Sequence, residues 1–279
     1  MRSRHTVEVR NPDSFGKGAN FVKTLNKEIV KTTTLKIFNA LALLIVLIVN
    51  YLANALPLNG IKTGAVSDKY YNEFAPAGIT FAIWAVIYTL LIGVMIWQFI
   101  GINHLKAIAV KEIGLLFIIN CVLNALWLYA WHHEAFVITL VLMLGILWTL
   151  VEINQIESHK LSRHTPLRGL LQSAFGIYLG WICIATIANF TTFFVSIQFN
   201  KLGLSDTFWT GGVIGIGAIT AALLVVRFKN MFIGLAVLWA LVGIVIRQSQ
   251  LHGHFTAISW AALTYSLAVV ASLFYGRRS

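Results

Sequence analysis

Eight times along its 279 residues the chain runs through a long stretch that is apolar and nearly free of charge, at about 37–56, 76–101, 113–131, 135–156, 169–194, 208–226, 231–246 and 255–275. A helix rising about 1.5 Å per residue needs about 20 residues to cross the hydrocarbon of a bilayer. Backbone in lipid must satisfy its own N–H and C=O groups, so each run is constrained to be helical. The chain therefore reads as all-α, a polytopic transmembrane helix bundle of about eight spans. Only His132, His133 and Glu134 separate the third run from the fourth. Joined, the two would form a helix about 66 Å long, about twice the hydrocarbon thickness, so a tight hairpin is expected there.

Composition supports this reading. Charged residues make up 11% of the chain and mean hydropathy is +0.79, whereas ordinary globular domains carry about a quarter charged residues. With 4 prolines and 21 glycines the sequence is not low-complexity. Cys121 and Cys183 both lie inside apolar runs, with no Cys-x-x-Cys and no histidine at ligand spacing, so neither a disulfide frame nor a zinc site is signalled. A formal charge of +11 could suggest a nucleic-acid partner, but placement decides otherwise. With the N-terminus cytoplasmic, 17 of the 21 basic residues fall on the inner side, and only Lys62, Lys69, Lys201 and Arg247 fall outside. That bias obeys the positive-inside rule and puts both termini in the cytoplasm. Membrane lipid rather than nucleic acid is the expected neighbour, and the bacterial cytoplasmic membrane the expected location. Residues 1–36 have no apolar face at either period and read as a loosely ordered basic arm that touches anionic headgroups. Ala53-Asn54-Ala55 looks like a cleavage site, but a 36-residue basic lead and a span-length apolar run favour a retained helix.

Nine tryptophans punctuate the spans. Trp97, Trp131 and Trp209 stand near span ends, where an interfacial belt explains them. Trp84, Trp127 and Trp181 stand deeper, each with polar or aromatic company at helical spacing. Trp84 and Tyr88 are four apart; Asn124, Trp127 and Trp131 follow at three and four; Tyr178, Trp181, Ala185 and Asn189 follow at three, four and four. Each set shares one helix face. An asparagine facing lipid is costly, so these faces should look into the bundle. Interhelical hydrogen bonds with aromatic packing account for the pattern as well as a binding site does.

The order Pro76, Trp84, Tyr88, then Asn124-x-x-Trp127, then Tyr178-x-x-Trp181-x-x-x-Ala185-x-x-x-Asn189 resembles the TspO/MBR family, the tryptophan-rich sensory proteins that include the mitochondrial translocator protein. The resemblance covers about residues 37–200, and 201–279 add three further helices. It departs from the family at Ala75, where a second proline is usual, at Thr80 with Phe81 one place late, and at Ile177, where a proline is usual. What the resemblance implies is a five-helix core with a cavity at one membrane face, holding a hydrophobic planar ligand such as porphyrin or haem. The protein would act as carrier, sensor or scavenger, with light-dependent porphyrin breakdown as an enzyme-like variant. No cofactor is required beyond such a guest, and a homodimer is left open. The expected ligand-binding set is Trp84, Tyr88, Asn124, Trp127, Tyr178, Trp181, Ala185, Asn189 and Pro76. With the second span running inward, Pro76 opens it at the outer face, Trp84 lies about 12 Å deeper, and the loop at 57–74 forms a lid.

The remaining signals are weaker. His132, His133 and Glu134 form the densest set of potential metal ligands, but adjacent residues on a short loop point apart, so a solvated turn is expected. His252 and His254 read the same way. Glu152 is expected to pair with Lys160 or reach water. Gly211 and Gly215 make a small-residue face for close helix contact. Leu273-x-Tyr275-x-Arg277 fits only a loose sterol pattern. No phosphate loop, catalytic triad or paired intramembrane carboxylate appears. A small-solute transporter is the alternative, although intramembrane charge pairs and broken helices, its usual signs, are missing.

Overall fold

The computed structural model describes residues 12–56, 58–101, 104–161 and 166–278. Among these the chain forms α1 (Pro12–Ala55), α2 (Thr63–Lys69), α3 (Ile83–Phe99), α4 (His104–His132), α5 (Phe136–Lys160), α6 (Pro166–Ser196), α7 (Asp206–Phe228), α8 (Met231–His252) and α9 (Ala257–Arg278). All but α2 are long and apolar enough to cross a bilayer, and no strand occurs among the described residues. The protein is an integral, multi-pass helical bundle.

The hairpin between α4 and α5 forms where expected: Glu134 takes a left-handed φ of 55° and turns the chain within three residues. Other boundaries differ. The first helix begins at Pro12, so the segment read as a loosely ordered arm is helical from there, and positions 1–11 lie outside the described residues. Extending an existing helix costs only propagation, not nucleation, which lets a polar segment without an apolar face continue the span. Likewise α8 continues past position 246 to His252 before Gly253 stops it with a φ of 74°.

α6 forms the centre. In its crossing stretch 67% of residues are buried, against 17% for α1, and it packs against α3, α5, α7 and α8. The closest approach uses glycines. A Cβ on Gly180 would stand 2.2 Å from the Ile233 carbonyl oxygen of α8, and one on Gly176 would stand 2.5 Å from Asn230 Nδ2. This Gly-x-x-x-Gly pair is tighter than the anticipated one on α7. There Gly215 still makes a true contact, since its Cβ would stand 2.7 Å from the Tyr265 ring of α9. Removing the side chain lets helix axes approach where no hydrophobic force drives them together.

A buried asparagine network adds specificity. Asn154 Nδ2 donates to the Phe175 carbonyl at 3.1 Å, and Asn230 Nδ2 donates to Asn154 Oδ1 at 3.1 Å and the Gln172 carbonyl at 3.0 Å. Asn230 Oδ1 also accepts from Phe232 N, capping α8. Only Lys229, left-handed at φ 50°, and Asn230 separate α7 from α8.

Candidate functional site

The segment 58–74 packs as a lid built on α2. Thr63 Oγ1 hydrogen-bonds His132 Nε2 at 3.0 Å, Trp131 Nε1 donates to the Thr63 carbonyl at 3.1 Å, and Asn59 Nδ2 donates to the His132 carbonyl at 3.1 Å. Lys69 Nζ binds both Glu134 oxygens at 2.6 and 2.8 Å, and Tyr70 donates to Glu134 at 2.5 Å. The hydrogen bonds from Lys69 and then Tyr70 hold the Glu134 carboxyl below its ordinary value of 4.5. The expectation of a solvated turn is therefore corrected at His132 and Glu134, whereas His133 is exposed as expected. His132 is buried and Glu134 is paired, because the helical lid lies across the hairpin and takes up its polar groups. Trp131 is likewise buried beneath the lid rather than belted at the interface.

Beneath α2 lies a cavity of about 760 Å³. Its wall is Phe81 in the turn before α3, Trp84 and Tyr88 on α3, and Asn124, Trp127 and Leu128 on α4. The end of α1 contributes Leu47, Asn50 and Tyr51, and the approach to α3 contributes Ala75 and Pro76. Thr63, Ser67 and Asp68 close it from α2, and Arg247 reaches in from α8. Trp84 and Tyr88 stack at 5.4 Å between centroids, with planes 21° apart, and Trp127 and Trp131 stack with the same distance and angle. The four-residue spacings read from the sequence thus produce two aromatic ladders, one on each of two helices. The Tyr88 hydroxyl and Trp127 Nε1 are buried and have no hydrogen-bond partner among the described residues.

The residues of α6 stand behind this wall. Trp181 meets Trp84 edge to face at 6.3 Å, and Tyr178 meets it at 5.7 Å. Asn124 Nδ2 donates to the Tyr178 hydroxyl at 2.9 Å while its Oδ1 accepts from Asn50 at 3.3 Å, tying α1, α4 and α6 together. Neither Tyr178, Trp181, Ala185 nor Asn189 lines the cavity. Asn189 turns toward α5 and donates to Thr139 Oγ1 at 3.1 Å. Pro76, Trp84, Tyr88, Asn124 and Trp127 do line it, so the structure brings five of the nine expected residues to one space and leaves four out of its lining.

Several lining residues were not anticipated. Asn50 had a signal, being a polar residue near the end of an apolar run. Asp68 and Arg247 had none, because a contact across 179 positions depends on how α8 packs. That packing is close: a Cβ on Gly243 would stand 2.1 Å from Thr80 Oγ1, Gly243 accepts from Ala77 N at 2.9 Å, and Trp239 Nε1 donates to the Thr80 carbonyl at 2.8 Å. On the opposite side of the bundle, Lys160 pairs with Glu112 of α4 at 2.5 Å rather than with Glu152, because the neighbouring helix presents the nearer carboxylate.

A comparison across protein families bears on the chain as a whole. The family described as TSPO-like protein matches residues 36–275, a stretch that runs past position 200 and through the last three helices. No curated protein and no solved structure matches the chain. With more than half its length matched, the chain belongs to the family of TSPO-like proteins.

Proposed function

We propose that the cavity beneath α2 binds a flat, hydrophobic small molecule, of which a tetrapyrrole is the best-fitting class, and that the protein carries, senses or scavenges it. The observation that carries this reading is the stacked Trp84–Tyr88 pair facing the same 760 Å³ space as Trp127. A volume in that range suits a drug-sized organic guest. Indole and phenol faces favour a conjugated ring, with about 0.5–1.5 kcal/mol per aromatic pair beyond area burial. The Tyr88 hydroxyl and Trp127 N–H are buried within the wall, so the guest would meet these residues through their ring faces.

Orientation belongs to the same reading. The lid end carries Lys62, Lys69, Lys201 and Arg247, of which Lys69, Lys201 and Arg247 pair with Glu134, Asp206 and Asp68. That end is nearly charge-neutral, as an outer face should be, and the basic termini then lie in the cytoplasm.

Titration of the purified protein with protoporphyrin tests the site. Saturable quenching of tryptophan fluorescence is expected, with Trp84→Ala and Trp127→Ala each weakening it about tenfold, the equivalent of about 1.4 kcal/mol. Trp148, which is exposed and outside the cavity, is the control. Equal affinity in all three variants would rule out the site.

A further inference from the structure

Among the described residues Arg247 is the one basic residue lining the cavity, in a segment beyond the stretch whose motifs mark the site. Its guanidinium has five N–H donors and no acceptor. Among the contacts to described residues, one is a hydrogen bond from Nη2 to Asp68 Oδ1 at 3.2 Å, while Nε is buried without a partner. This is not the parallel two-bond fork in which arginine holds a carboxylate most strongly. The Arg247 side chain is 26% exposed and that of Asp68 68% exposed, so solvent screens the pair. Asp68 therefore occupies a site built to hold a carboxylate, and occupies it weakly.

The unpartnered donors of Tyr88 and Trp127 are buried within the wall. Among the described lining residues Arg247 is the one cation, so it is the group that would meet an acidic guest. Arg247 itself is held in place: the adjacent Gln248 donates to the Glu73 carboxylate at 2.5 Å and to its carbonyl at 3.2 Å. Its partner Asp68 can leave without opening the lid, because α2 is secured separately through Thr63 and Lys69.

We infer that Asp68 is a built-in competitor for Arg247, and that an acidic guest binds by displacing Asp68 and taking a two-bond fork with the guanidinium. The inference rests on the binding site proposed above and adds to it: the guest is a flat apolar body with a carboxylate at its rim, and α8 supplies the residue that selects it. Asp68 turns to water when the site fills, and the net charge of the lid rim falls by one.

The full-length protein, titrated with protoporphyrin and with its dimethyl ester, separates the two ideas, because the ring is shared and only the acid differs. The wild type is expected to prefer the acid by about tenfold, a preference that shrinks as salt rises. Arg247→Gln should bring the acid down to the level of the ester and leave the ester unchanged. Asp68→Asn should tighten the acid several-fold without affecting the ester, which a merely structural role for Asp68 would not do. Arg247→Lys, which keeps the charge but loses the fork, should fall between wild type and Arg247→Gln. Equal binding of acid and ester by the wild type, or weakening of the acid by Asp68→Asn, would overturn the exchange. Weakening of both ligands by about tenfold in Trp84→Ala supports the cavity independently of Arg247; binding of both that ignores Trp84, or no binding of either by the wild type, would overturn the cavity and the exchange with it.

Discussion

At the scale of single residues, the polar groups decide what is rigid. Glu134 holds the lid through Lys69 and Tyr70, and its depressed carboxyl sets the pH range of that hold. A carboxyl whose value falls on folding contributes above the unfolded value and loses its contribution as pH drops through the folded one. Amide exchange across 63–69, corrected for intrinsic rates, should be flat from neutral pH to about 5 and rise only below 4.5; Glu134→Gln should exchange faster at neutral pH and lose the acid dependence. Asn230 both caps α8 and donates to Asn154, so Asn230→Ala should cost about 1–3 kcal/mol in a detergent unfolding assay. The aromatic ladders were legible because i, i+4 spacing survives from sequence to helix face. Arg247, Asp68 and the buried state of His132 were not, since each depends on a partner far along the chain.

At the scale of elements, all eight spans were legible from apolar length, because lipid leaves the backbone no alternative to a helix. Their ends were less so, and α2 was missed: seven residues with no strong period, stabilised by the hairpin beneath them, have no local signature. The choice of contact surfaces was hidden for a similar reason. Gly211-x-x-x-Gly215 and Gly176-x-x-x-Gly180 look alike in sequence, yet the second meets a backbone carbonyl and the first a movable ring. Gly180→Ala must therefore push α6 and α8 apart, at about 1–3 kcal/mol by the usual cost of overpacking. At about 2–4 °C per kcal/mol for a chain of this size, thermal unfolding should shift down by roughly 2–12 °C. Gly212→Ala, where an added Cβ meets nothing within 4 Å, should show no loss.

For the whole molecule, the sequence resemblance covered 37–200 and set the last three helices apart, whereas α8 packs on the central helix and on the approach to α3. A chain ended at position 204 would expose the Gly176–Gly180 face to lipid and lose the Gly243 seat of Thr80. Size-exclusion profiles of that truncation in mild detergent should be aggregated or broad; a sharp monomeric peak that binds protoporphyrin would show that the five-span part stands alone. The short turn at Lys229 and Asn230 carries a mechanical consequence. Two residues, one of them in a left-handed bend, leave no slack, so any tilt of α8 that resizes the chamber must swing α7 with it. The tail of the chain behaves as a stiff bracket, and the flexibility needed to admit a guest falls to the lightly covered first helix on the other flank.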